Sequence, residues 1–258
     1  MIDVHNHLLP AVDDGARNRA ETLEMCRMAC ADGIHVIVAT PHSYDDQFIN
    51  HPNTIRSLVT ELNEELTDAG IDIEILPGME VRVSAELPRR LLNGEILPLN
   101  DGEYILLEFH PAHIPSGFEN LVHQLVLSGY RVILAHPEQN MGIQKHPEYL
   151  FKLLEMFDPF TIMCQLTASS VVDKNGSEPA RTAGILLKNN LAHLIASDAH
   201  DVRLRRPVLS QAARAAAGIV GEEKASNMVK EYPWAIINRE RIVDEWEPRN
   251  PKRWWRLR

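Results

Sequence analysis

The sequence contains no apolar run long enough to cross a membrane as a helix, and Met1 leads directly into a strand pattern rather than a signal peptide. Cysteine is scarce. Cys26, Cys30 and Cys164 form no disulfide framework and read as reduced core thiols of a cytoplasmic protein. Cys26 and Cys30 share a helix face, where their Met and Ala neighbours favour burial over metal binding. None of the three opens a Cys-x5-Arg loop, so thiolate-based phosphoester chemistry has no nucleophile here. A Gly-x-Ser-x-Gly elbow, a P-loop and a dinucleotide-binding glycine motif after the first strand are likewise missing. Positive charge is short as well: the net charge of -10 argues against nonspecific nucleic-acid binding through the body of the protein.

The sequence does contain short apolar runs that alternate with amphipathic stretches. Strands are expected at Ile2–His5, Val36–Ala39, Glu74–Pro77, Tyr104–Phe109, Val132–Ala135, Thr161–Leu166 and His193–Ala196. Helices are expected at Ala20–Ala31, Thr54–Ala69, Phe118–Leu127, Pro147–Phe157 and Glu178–Lys188. Strand-helix alternation implies an α/β fold with a parallel sheet, and seven such strands favour a TIM-like (βα)7 barrel over a doubly wound sheet. No linker, repeat or low-complexity segment interrupts a single domain over residues 1–248. The last ten residues differ. Arg249, Lys252, Arg253, Arg256 and Arg258 surround Trp254 and Trp255 with no acid among them. That tail is either a solvated end or a docking segment for an acidic partner or a membrane surface.

Histidines and acids stand at the ends of the expected strands. His5 and His7 alternate at the end of the first, so their imidazoles share a face. His42 follows the second strand, Glu80 the third, and His136 the fifth. Glu108 lies near the end of the fourth, and Asp198 and His200 follow the seventh. Asp14, in the loop after the first strand, completes nine candidate ligands, five histidines and four carboxylates; Asp13 beside it is the alternative. In parallel barrels the carboxyl ends of the strands form the active face. Four carboxylates gathered there would repel one another without cations. A thiolate-free His/carboxylate set suits manganese, iron or zinc, and nine ligands exceed the needs of one or two ions. The remaining histidines, His35, His51, His110, His113, His123, His146 and His193, read as packed or surface residues, with His110 and His113 close enough to the barrel mouth to be candidates for supporting the ligands.

The segments His5-Asn6-His7, Asp13-Asp14-Gly15, Thr40-Pro41-His42, Gly78-Met79-Glu80, His136-Pro137-Glu138 and Ser197-Asp198-Ala199-His200 resemble the polymerase-and-histidinol-phosphatase (PHP) family. Within it, Gln165-Leu166-Thr167-Ala168-Ser169-Ser170 and the start Met1-Ile2-Asp3-Val4-His5 look most like the bacterial capsule-type tyrosine phosphatases. The resemblance extends from residue 1 to roughly residue 235 and leaves the tail outside. It implies a distorted seven-stranded barrel and three metal ions, usually manganese. His5, His7, Glu80 and Asp198 would hold one; Glu80, Glu108 and His136 the second; Asp14, His42 and His200 the third. It also implies hydrolysis of phosphotyrosine by metal-activated hydroxide, on the tail of a kinase controlling exopolysaccharide synthesis. Arg205 aligns with an arginine that this subgroup places near the substrate phosphate. The chain departs at Gln139, where the subgroup commonly has arginine. Two other readings fit the same ligand set: a phosphoesterase for a small metabolite such as histidinol phosphate, and a regulatory protein that keeps metal without turnover.

Overall fold

The computed structural model describes residues 1–45, 47–173 and 176–251. Its strands are β1 Ile2–Asn6, β2 Val36–Ala39, β3 His42–Ser43, β4 Glu74–Pro77, β5 Glu80–Arg82, β6 Tyr104–Glu108, β7 Arg131–Ala135, β8 Ile162–Thr167 and β9 Leu194–Ala196. All their pairings are parallel, in a three-stranded sheet β1-β2-β4 and a six-stranded sheet β3-β5-β6-β7-β8-β9. Parallel strands covered on both faces must be apolar nearly throughout, which is why the expected strands coincide with the apolar runs. The five expected helices are present within two residues of their expected ends, for example Arg19–Asp32 and Pro52–Asp68. Each of these two buries one stripe, Met25, Cys26 and Ala29 in the first and Ile55, Val59, Leu62 and Leu66 in the second.

The expected strand count of seven is exceeded because a further short strand follows each of two expected runs, β3 after β2 and β5 after β4. Thr40-Pro41 separates β2 from β3, and Pro41 has no N–H to give to a ladder. Gly78-Met79 separates β4 from β5, where a Cβ on Gly78 would lie 2.8 Å from Val38 and 2.9 Å from Leu99. Both interruptions leave the chain running in the same direction, so β3 and β5 pair just beyond β2 and β4. At the other edge β1 meets the segment following β9. Asp198 N–H donates to His5 O, and His7 N–H donates to Ala199 O, both at 2.9 Å. Buried Asp3 reinforces that seam by accepting from the Ser197 amide and hydroxyl and from Asn6 Nδ2.

Alternation sorts the strand side chains into two cores. Ile105, Leu107, Val132, Leu134, Ile162, Cys164, Leu166 and Ile195 pack outward beneath the helices. Ile2, Val4, Val38, Tyr104, Leu106, Ile133, Ala135, Met163, Leu194 and Ala196 face inward. Cys26 and Cys164 are buried, and burial pushes the Cys26 thiol up to about 12.

Chain beyond the helix Glu231–Asn238 crosses the amino ends of the strands. Trp246, 7% exposed, stacks on His193 at 4.3 Å, donates from Nε1 to Asn190 O at 2.9 Å, and has Lys224 Nζ 3.6 Å over its ring. Burial, with Lys224 nearby, lowers the His193 pKa to about 3, so the stacked imidazole is neutral. Arg249 N–H donates to Asn189 O, which ties residue 249 to the body. The basic-tail residues Lys252, Arg253, Trp254, Trp255, Arg256 and Arg258 lie outside the described residues. Among the described residues no helix is long and apolar enough to cross a membrane. Removing the indole empties a packed site, so Trp246→Ala should cost about 3–5 kcal/mol, read as a lower urea midpoint at unchanged slope.

Candidate metal centre

The inward face changes chemistry at the carboxyl ends of the strands. Tyr104 and Leu106 are followed in phase by Glu108, Ile133 and Ala135 on β7 lead to His136, and Leu194 and Ala196 on β9 lead to Asp198. Register places Glu80 beside both His42 and Leu106, and Arg82 beside Glu108. On β1 a register shift between Asp3 and Asn6 changes the phase. Ile2 and Val4 therefore line the apolar core, while His5 and His7 reach the polar layer above it.

All nine expected donors meet there. His5 Nε2 lies 3.1 Å from His7 Nε2, 3.3 Å from Glu80 Oε2 and 3.5 Å from Asp198 Oδ1. His7 Nε2 lies 3.4 Å from the same Glu80 oxygen. His136 Nε2 is 2.8 Å from Glu80 Oε1, and His42 Nδ1 is 3.0 Å from Glu80 Oε2 and 3.5 Å from Glu108 Oε1. Asp14 Oδ1 lies 3.3 Å from His200 Nε2 and 3.5 Å from His42 Nε2. Three clusters emerge that could each hold a cation: His5, His7 and Glu80; Glu80, Glu108 and His136; and His7, Asp14, His42 and His200. Asp45 joins His42 and Glu108 in a fourth, from a loop without strand periodicity to reveal it.

The donor set fits divalent ions. Donors about 2.1 Å from a shared ion stand roughly 3.0–3.5 Å apart, as these do. The outer nitrogens of three histidines are already committed. His5 Nδ1 donates to Gln165 Oε1, His7 Nδ1 to Asp13 Oδ2 and His200 Nδ1 to Asp198 O, at 2.7–2.9 Å. With Nδ1 committed as the donor, Nε2 is the nitrogen each ring turns inward, the arrangement that metal-binding histidines require. His200 Nε2, His42 Nδ1 and Glu80 Oε2 are buried without a hydrogen bond. Two Nε2 lone pairs 3.1 Å apart need a cation or a proton between them.

Asp13 and Asp14 separate by role. Asp13 accepts from His7 Nδ1 and from the amides of Gly15 and His42, so its oxygens are used in holding His7 and the loop. Gly15 lets that loop fold under β1, since a Cβ there would lie 1.9 Å from His7 O. Asp14 faces the histidines. Sequence reasoning missed Gln165, whose one signal is a polar residue inside the apolar β8, and Arg82, which shares the face of Glu80 two residues earlier. Arg205 Nη2 lies 2.8 Å from Asp198 Oδ1 with the side chain 45% exposed, and Arg203 and Arg206 are exposed. Gln139 Nε2 donates to Thr167 Oγ1. His110 and His113 are exposed, with their rings tilted against each other at 4.9 Å, and neither joins a donor cluster among the described residues.

A family profile described as "Capsular polysaccharide synthesis, CpsB/CapC" matches residues 1–238. The chain belongs to this CpsB/CapC family. It is 39% identical over 205 residues to the tyrosine-protein phosphatase YwqE of Bacillus subtilis, covering 80% of this chain and 79% of YwqE. It is 33% identical to the putative tyrosine-protein phosphatase CapC of Staphylococcus aureus, covering 82% and 81%. A crystal structure from work on YwqE of B. subtilis and CpsB of Streptococcus pneumoniae, described as unique metal-dependent tyrosine phosphatases, superposes with a TM-score of 0.89 at 35% identity, covering 96% of this chain and 99% of the other. Dihydroorotase of Campylobacter jejuni shares the fold, with a TM-score of 0.54 at 12% identity over 94% of this chain and 84% of that enzyme.

Protons hold the metal-free donors together. Burial opposes charge on His7 and His136, but Asp13 and Glu80 respectively outweigh it and push each imidazole to about 9. Burial likewise opposes the charge of Asp198, and His5, His136 and Arg205 outweigh it, lowering its carboxyl to about 2. Relative to ordinary values of 6.5 and 3.8, the histidine contribution is complete below 6.5 and lost as pH rises through 9. The Asp198 contribution is present above 3.8 and lost as pH falls through 2. Chelator-treated protein should therefore melt at a lower temperature at pH 9.5 than at pH 6. Adding a divalent metal near pH 7.5 in weak buffer should release protons, as a pH electrode would record.

Proposed function

We propose that this chain is a metal-dependent protein-tyrosine phosphatase, with residues 1–248 as one phosphoesterase domain. The observation that carries the reading is the convergence of nine thiolate-free donors, three of them with outer nitrogens locked, at the strand ends of a chain in the CpsB/CapC family. The nine strands serve as seven staves of a distorted TIM-like barrel, with β2/β3 and β4/β5 each a single broken stave and the β1–Ala199 bridge closing the ring. Three ions, manganese foremost and iron or zinc as alternatives, would divide the donors: His5, His7, Glu80 and Asp198 would hold the first, Glu80, Glu108 and His136 the second, and Asp14, His42 and His200 the third. When bound, such ions lower the pKa of water towards neutrality and outweigh the four carboxylates, which favours a phosphomonoester dianion.

The chain's own residues then orient and hold. Glu80, with one oxygen toward His136 and the other toward His5, His7 and His42, ties the first two sets together. Asp13 and Gln165 fix the tautomers of His7 and His5. Arg205 reaches the mouth from the loop after β9 and offers its remaining N–H groups to phosphate oxygens. Buried Cys26 and Cys164 take no part, and no covalent phosphoenzyme is required. The substrate is a phosphotyrosine protein, the tail of a cytoplasmic-side kinase controlling capsule or exopolysaccharide synthesis.

Metal analysis should be paired with turnover of a phosphotyrosine peptide, histidinol phosphate and a phosphodiester. The peptide should be preferred, EDTA should abolish turnover, and Mn2+ should restore it. Preference for the diester, or activity in fully demetallated protein, would overturn the reading. Glu80→Gln should lower kcat by about 10^3-fold or more with loss of bound metal. Arg205→Ala should retain metal and lose roughly tenfold in phosphate affinity or turnover.

A further inference from the structure

The resemblance calls for an arginine at position 139 that this chain lacks, and Gln139 is turned onto Thr167 Oγ1. A different guanidinium occupies the donor face. Arg82 is paired in register with Glu108 and follows Glu80 by two residues, so it shares their inward face one step nearer the carboxyl end of β5. Its Nε and Nη2 lie 3.0 and 2.9 Å from a single oxygen, Glu108 Oε1. The side chain remains 23% exposed although Glu108 is nearly buried. A guanidinium carries five N–H donors in a plane, and among the described residues Glu108 is its only polar partner. One edge is anchored and the other is unused.

Arg205 has the same arrangement on the other side, with Nη2 on Asp198 Oδ1 and the remainder exposed. Two guanidiniums thus stand on two carboxylates of the donor set, one from β5 and one from the loop after β9. Once Glu108 shares its charge with a cation, its hold on Arg82 weakens, and an incoming dianion becomes the better partner for the free edge. We propose that Arg82 is a substrate-binding residue that grips the phosphoryl group from the β5 side, opposite Arg205. The assignment rests on the phosphatase reading for what the substrate is, but phosphate binding tests it without turnover.

The experiment uses the full chain loaded with Mn2+, desalted, with metal content measured by elemental analysis and inorganic phosphate titrated by calorimetry. Kinetics on a phosphotyrosine peptide run in parallel. At equal metal content, Arg82→Ala should weaken phosphate binding about tenfold or more and raise KM for the peptide. Arg82→Lys, which keeps the charge but loses the planar fork, should recover part of the affinity. Arg82→Gln keeps most of the stem and a donor for Glu108, and takes the place of Arg82→Ala if that variant fails to fold. Wild-type phosphate affinity in the loaded variants would overturn the assignment. So would metal content that cannot be restored at saturating Mn2+, because Arg82 would then merely position Glu108. A wild-type protein that binds phosphate but leaves the peptide intact would defeat the phosphatase reading while leaving the Arg82 comparison valid.

Discussion

Electrostatic crowding at the carboxyl ends of the strands is the constraint on which the rest of this structure turns. Four carboxylates and five imidazoles share a volume in which many donor separations are near 3.5 Å or less. Hydrogen bonds from the Nδ1 atoms of His5, His7 and His200 to outer partners point their Nε2 atoms inward toward the carboxylates, a crowding that positive charge relieves. Protons supply that charge in the metal-free chain, and divalent ions supply it better. Proton binding, metal affinity and stability are therefore three readings of one interaction.

The fold's irregularities serve that crowding. His136 and Asp198 adopt left-handed backbone, with φ of 30° and 52°, a strain that costs about 1–3 kcal/mol per residue. Neighbours over-determine both. Asp198 is held by its amide on His5 O and by the Asp3–Ser197 contacts just before it, and His136 by the turn of Pro137–Gln139 that follows. The register shift in β1 turns His5 and His7 onto the inner face, and the breaks at Thr40-Pro41 and Gly78-Met79 allow His42 and Glu80 to pair above the apolar layer. The same inward face is thus oily at one end and ionic at the other, with Trp246 closing the oily end.

All the candidate donors except Asp14 are legible because each stands at or just beyond an apolar run, and a buried parallel strand tolerates polarity chiefly at its ends. His5, His42, Glu108 and His200 could be placed that way without knowing which strand neighbours which. The split of β2 from β3 was not legible, since His42–Ser43 is too short to show a period. Nor could spacing separate Asp13 from Asp14, adjacent carboxylates whose roles depend on how Gly15 tucks beneath His7 O. Arg82 stayed hidden because an arginine at the end of a strand usually reads as solvent-facing, and only the β5–β6 register aims it at Glu108. Trp246 sits in a Pro- and Glu-rich stretch with no periodicity, so its role as a plug appears only in the folded chain.

Anomalous diffraction from crystals of the manganese-loaded protein, collected on both sides of the manganese absorption edge, tests the central claim most directly. Three peaks are expected, each within roughly 2.5 Å of donors from its own set, with Glu80 touching two of them. No peak at the strand ends, or a single ion that leaves Asp14, His42 and His200 uncoordinated, would contradict it.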